Sequence, residues 1–98
     1  MIKNNLIIDA IENRNIIQFY YKDDLRTVEP HCYGITTAGN EGLRAFEIES
    51  SSSSGTNRMK MYDLSKASDI EILDKSFHDS RPDYKKGDKG MIEIFIEL

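Results

Sequence analysis

Apolar and polar positions change period several times along this chain, and each change marks an element. Within residues 4–14, Leu6, Ile7, Ala10 and Ile11 fall at helical spacing, with Asn4 or Asn5 as a cap and Asn15 as a terminator. This predicts one short amphipathic helix that needs a sheet to lie on. Ile16 to Tyr21 is β-branched and aromatic almost throughout and runs into Lys22-Asp23-Asp24, the composition of a buried strand opening a hairpin. A second strand is expected from Leu25 to about Thr36 and, after a turn over 37–42, a third from Leu43 to about Glu49. The serines Ser50 to Ser54, with Gly55 behind them, predict a flexible loop. Arg58 to Tyr62 alternates, with Met59 and Met61 pointing one way into the core and Arg58, Lys60 and Tyr62 the other. Asp63 to Ala67 predicts a helical turn and Ile70 to Leu73 a fifth strand.

From residue 75 to 90 the chain becomes polar, charged and interrupted by Gly and Pro, which predicts an extended linker or arm. It closes with Ile92, Ile94, Ile96 and Leu98 alternating with Glu93, Phe95 and Glu97. A strand this apolar must pair with something, because an exposed hydrophobic edge invites aggregation. It either completes the chain's own sheet or joins a partner's, and dimerisation through it is one of the readings. Short strands joined by turns behind a single helix give a mainly β chain with one N-terminal helix (α+β), folded as a small barrel or a rolled antiparallel sheet. Residues 1–77 form the barrel and its leading helix. Residues 78–98 form the polar arm and last strand, packed on the same domain or on a partner.

Size limits what such a fold can do. A chain of 98 residues makes one domain and buries only about 60–65% of the surface its unfolded form exposes, which leaves little room for a deep active site. No stretch approaches the roughly 18 apolar residues of a membrane span, and the N-terminus lacks a signal-peptide profile, so a cytoplasmic protein is expected. Cys32 is the single cysteine, which excludes an internal disulfide and a cysteine-based zinc cluster. No calcium-loop spacing, HExxH pattern or phosphate-binding Gly loop is present, so neither a metal nor a cofactor is expected.

The net charge of −4 argues against a sequence-blind nucleic-acid binder. Screening beyond about 8 Å still lets a local cluster of cations act independently of distant acids. From Asp69 to Leu98 there are eight Asp or Glu against five Lys or Arg, whereas Arg26 to Tyr62 holds four of each, so the middle of the chain is the expected anion site.

The candidate residues in that middle each have two readings. Arg26 can grip a phosphate or carboxylate with its planar fork, or pair with Glu29 at a strand edge. His31 and Tyr33 are two apart and on a regular strand share a face, where they could bond and stack on a base or ring, or else be a satisfied structural histidine and a half-buried core ring. Arg44 shares a face with Phe46 and Ile48, either reaching a ligand at the rim or snorkelling to solvent. Arg58 and Lys60 share another face and either meet a phosphate chain or form a solvated polar surface. Cys32 adjoins His31, but neighbouring strand residues point to opposite faces, so no nucleophile and base pair is expected and no catalytic residue is assigned.

Ile17-Gln-Phe-Tyr-Tyr21 after the leading helix, then Arg26-Thr-Val-Glu-Pro-His31, then Leu43, Ala45 and Phe46, resemble in order and spacing the WYL domain, a small Sm-like β-barrel found mostly in bacterial transcription regulators and defence-associated proteins. The resemblance covers roughly residues 5 to 77. Glu41 and Gly42 stand where the name-giving Trp and Tyr would be, and no helix-turn-helix fits in the chain. The resemblance implies a non-enzymatic ligand-sensing regulatory module that binds a short nucleic acid or nucleotide-like anion through Arg26, His31, Tyr33, Arg44, Arg58 and Lys60. Such a module would act on a regulator protein or across a homodimer. The competing reading is a structural protein–protein interaction domain that uses its C-terminal strand.

Overall fold

The computed structural model describes residues 3–51 and 57–98. Helix α1 spans Asn5–Asn13; the Asn4 side chain caps it by accepting a hydrogen bond from the Ile7 N–H. It ends at Arg14, whose left-handed backbone (φ 53°) turns its N–H back to the carbonyls of Ala10 and Ile11. Ile7, Ala10 and Ile11 are buried, while Leu6 is 45% exposed and lies off the packed stripe.

Strand β1 (Asn15–Tyr21) leads into a two-residue turn at Lys22-Asp23, both with positive φ. Left-handed residues at both central positions match the twist of a hairpin. The chain continues through β2 (Asp24–Thr36), β3 (Glu41–Ser50), β4 (Arg58–Asp63), a 3-10 turn (Leu64–Lys66), β5 (Ala67–Ser76) and β6 (Met91–Glu97). All pairings are antiparallel, in the order β4-β3-β2-β1-β5, with β6 alongside β2.

β2 organises the fold. Along one edge it pairs with β3; its other edge is shared, residues 24–28 pairing with β1 and residues 32–36 with β6. Pro30 lies between these partners, where a residue without an N–H costs the ladder nothing, and a bulge follows between Pro30 and Cys32. The terminal strands β4 and β5 are not paired with each other among the described residues. The protein is therefore mainly antiparallel β with one N-terminal helix, rolled rather than closed as a barrel.

The concave side of the roll holds the core. Ile17, Phe19 and Tyr21 of β1 meet Val28, Tyr33, Leu43, Ala45 and Tyr62, with Ile7, Ala10 and Ile11 packed against them. Phe19 and Tyr21 both meet the Tyr62 ring edge to face, with centroids 5.2 and 5.0 Å apart.

Several segments differ from expectation. β3 begins at Glu41, so Glu41 and Gly42 belong to a strand rather than a turn. β5 is longer than Ile70–Leu73 because a left-handed Asp69 (φ 54°) and register shifts let a polar, exposed segment stay paired to β1. Met59 and Met61 are half-buried on the convex side, and Tyr62 takes the core position. Of the serine tract, Ser50 ends β3 and Ser51 exchanges hydrogen bonds with Leu25; the rest of the expected loop, 52–56, lies outside the described residues. Of the segment 75–90, expected to be an extended linker or arm, residues 75 and 76 end β5 and the remainder is docked on the side of β2 and β3 away from the core, through Phe77, Arg81, Tyr84 and Asp88. No helix among the described residues is long and apolar enough to cross a membrane.

Candidate anion-binding site

The six residues marked in the sequence separate into three places. The first is the concave face at the end of β3. Alternation from Leu43 and Ala45 carries Glu47 inward, where its carboxylate is fully buried. It accepts hydrogen bonds from Arg26 Nη1 (2.8 Å), Lys60 Nζ (3.0 Å) and the Tyr62 hydroxyl (2.6 Å). Burial alone pushes the Glu47 carboxyl up, but these donors outweigh it and hold the group below the usual carboxylate value. Arg26 also reaches Asp24 (3.2 Å), so its charge and that of Lys60 are compensated inside the chain. An external phosphate could take either cation only by stripping the buried Glu47 carboxylate of one of its three donors. Arg58, on the same face of β4, is exposed and makes no ion pair among the described residues.

Tyr33 occupies the second place, beneath the helix N-terminus. Its hydroxyl accepts from the Asn4 N–H (2.7 Å) and donates to Glu41, and its ring meets Phe95 edge to face. Burial and the neighbouring carboxylate push its hydroxyl up to about 12. The bulge after Pro30 separates it from His31: Tyr33 faces the core and His31 faces the arm. The expectation of a shared face fails because it requires an unbroken two-residue period.

His31 and Arg44 hold the docked arm on the convex side. The fully buried imidazole stacks on Phe77 (5.6 Å, 12°) and meets the edge of Tyr84 (5.0 Å). Nδ1 lies 2.7 Å from the Glu29 carbonyl, and Nε2 accepts from the Arg81 N–H at 3.0 Å. A carbonyl on one nitrogen and an N–H on the other require the neutral tautomer with its proton on Nδ1. Burial lowers the His31 pKa accordingly. Glu29 grips the Arg81 guanidinium through both oxygens (2.7 and 2.9 Å), and that group lies 4.1 Å over the Phe46 ring. Cys32 is turned to the same side and adjoins the Tyr84 hydroxyl, which makes no hydrogen bond of ordinary geometry among the described residues. Burial pushes the thiol up to about 12, and both nitrogens of His31 are already engaged, so the two do not form a nucleophile and base.

Arg44 makes a two-pronged pair with Asp88, Nε to Oδ2 at 2.6 Å and Nη2 to Oδ1 at 3.1 Å, and Asp88 also accepts the Gly90 N–H at 2.8 Å. The pair borders a cavity of about 470 Å³ lined by Arg44, Met59 and the whole turn from Asp83 to Lys89, which brings in Lys85, Lys86 and Lys89. Four cations stand against the carboxylates of Asp83 and Asp88 in this wall, and Glu97, which accepts the Gly87 N–H at 3.2 Å, borders it as a third, so the wall keeps a small positive excess in a chain whose net charge is −4. Of the six marked residues, Arg44 lines this cavity. In the sequence Lys85 and Lys86 read mainly as solubilising charges of a polar arm, with only a minor prospect of touching a nucleic-acid backbone, and Lys89 gives no signal of its own; the available signal is the aromatic and charged spacing Phe77, Arg81, Tyr84, Asp88 within the segment. Among the described residues no group of three or more His, Cys, Asp or Glu is arranged to hold a metal ion.

No protein-family model, curated protein or solved structure matches the chain.

Proposed function

We propose that this chain is a non-enzymatic, cytoplasmic ligand-sensing module of the WYL type, which binds a short nucleic acid or nucleotide-like anion and passes the event to a partner protein or across a dimer. The observation that carries the reading is the cavity bordered by Arg44, Lys85, Lys86 and Lys89. A guanidinium supplies two parallel donors to phosphate oxygens, the lysines supply mobile point charges, and Met59 gives an apolar surface beside them. The seat thus lies on the convex face beside the arm. Arg26, His31, Tyr33 and Lys60 support it indirectly, by holding the roll and the arm in shape. Arg58, exposed and without an ion pair among the described residues, is placed to meet a ligand chain.

Fluorescence anisotropy with a 5′-phosphorylated trinucleotide carrying a 3′ dye tests this reading. The wild type is expected to bind with an affinity that falls as salt rises, because phosphate contacts release counterions. Arg44→Ala combined with Lys85→Ala and Lys86→Ala is expected to weaken binding at least about tenfold, the equivalent of one charge-assisted contact of about 1.4 kcal/mol. Equal binding by wild type and triple variant, or none by either at low salt, overturns it. The structural-interaction reading keeps one specific support: β6 pairs through one edge only among the described residues, and its Ile92 is 67% exposed.

A further inference from the structure

The Arg44 guanidinium in the basic cavity is already occupied, and by an anion of the chain itself. Asp88 presents two oxygens to Nε and Nη2 in the geometry that a phosphate would use, with its side chain only 9% exposed. From this, and resting on the anion-site reading above, we infer that Asp88 is an internal stand-in for the ligand, and that the cavity selects a terminal phosphate monoester able to displace it.

Selectivity follows from the competition. A carboxylate or a phosphodiester brings one negative charge and offers Arg44 what Asp88 offers already, without the advantage of being tethered. A terminal phosphate monoester carries a charge of about −1.5 to −2 at neutral pH and three terminal oxygens. It can take the Arg44 fork with two of them and turn the third toward Lys85, Lys86 or Lys89, none of which forms an ion pair with Asp88 among the described residues.

Displacement has a structural consequence. Asp88 anchors the turn that starts β6: its carboxylate accepts the Gly90 N–H, its carbonyl accepts the Met91 N–H at 3.0 Å, and the Gly90 carbonyl accepts the Thr37 N–H at 2.9 Å. Met91 is the first β6 residue paired to β2. The Arg44–Asp88 pair thus acts as a latch, and Gly90 packs against it, since a Cβ there would sit 3.1 Å from Arg44 Nη2 and 3.2 Å from Asp88 Oδ1. Loss of the Asp88 carboxylate from Arg44 therefore frees a turn continuous with the last strand, so ligand occupancy is read out at the β6 start.

Titration of 15N-labelled protein with phenyl phosphate, methyl phenyl phosphate and benzoate tests the inference. In the wild type, phenyl phosphate is expected to bind at least about tenfold more tightly than the other two, and to move the Arg44 Nε–H, Gly90 and Met91 signals together. A latch closed in nine molecules of ten raises the apparent Kd about tenfold, so the near-isosteric Asp88→Asn should tighten phenyl phosphate by about that factor. If phenyl phosphate binds through Arg44 and the lysines but Asp88→Asn leaves its affinity unchanged, the latch is overturned while the anion site stands. The latch is overturned equally if the diester binds as well as the monoester. If none of the probes binds either protein, the anion site falls and the latch with it. The coupled Arg44, Gly90 and Met91 shifts need only wild-type protein, so a misfolded variant does not block the test.

Discussion

Replacing Glu47 by Ala removes the acceptor for three donors at once. Its carboxylate is fully buried, and Arg26, Lys60 and Tyr62 all donate to it at 2.6–3.0 Å. Breaking a buried ion pair by deleting one partner costs about 3–5 kcal/mol, because the remaining charge is left desolvated. Lys60 and Arg26 are 19% and 12% exposed at their side chains and can recover some hydration, which sets the expected loss near the lower end, about 3 kcal/mol. A domain of this size holds only about 5–15 kcal/mol in total, so the variant is marginal. With an m value of about 1 kcal/mol/M in urea, the unfolding midpoint should drop by about 3 M. The difference should also depend on pH. The folded Glu47 carboxyl titrates below its ordinary value of 4.5, so the stability it contributes is complete above that value and is lost as pH falls through the folded one. The gap between wild type and Glu47→Ala should therefore narrow on acidification below pH 4.5. A midpoint change under about 1 M at neutral pH, or a gap indifferent to acid, would refute the assignment of Glu47 as the centre that neutralises Arg26 and Lys60.

Two further outcomes follow from the same reasoning. His31 is held neutral between the Glu29 carbonyl and the Arg81 N–H, and burial depresses its pKa below 6.5; the unfolded state takes up its proton first, so stability falls as pH drops below that value, by up to about 1.4 kcal/mol per unit. The urea midpoint of the wild type should decline from about pH 6.5 toward 5.5 and that of His31→Gln should not, and an equal slope in both would exclude His31 as the source. At Gly34 a Cβ would fall on the Glu93 carbonyl and close to Ile94, both backbone of the adjacent strand, so Gly34→Ala should detach β6 or cost about 3 kcal/mol or more. Hydrogen exchange at Ile94 and Ile96 measures this directly, and wild-type protection there would contradict the close approach.

What the sequence reveals and what it conceals divide along a physical line. Segments with their own strong period are legible: the α1 stripe, the aromatic β1 and the length of β2 follow from which side chains must leave water, whereas β4 shows its alternation but not its inward face, which Tyr62 takes instead of Met59 and Met61. The site is less legible, because each of its parts depends on a break in a period or on a polar contact distant in sequence. One extra residue after Pro30 is enough to turn His31 toward the arm and Tyr33 into the core, and nothing in the spacing of the two announces that bulge. The arm reads as solvated because its anchors are polar, yet Arg81 meets Glu29 at 52 residues' separation and Asp88 meets Arg44 at 44. Glu47 is visible in principle, since it continues the inward positions Leu43 and Ala45, and an acid on an apolar face demands cations from the strands beside it. Arg26 and Lys60 are those cations. The same logic identifies Arg44 differently: its counter-ion comes from a turn that also carries Lys85, Lys86 and Lys89 rather than from the core, so with Arg44 and Asp88 paired three lysines still face Asp83 and Glu97 around the cavity. A compensated cation in the core stabilises the fold; a compensated cation beside further lysines is where the proposed exchange of partners would take place.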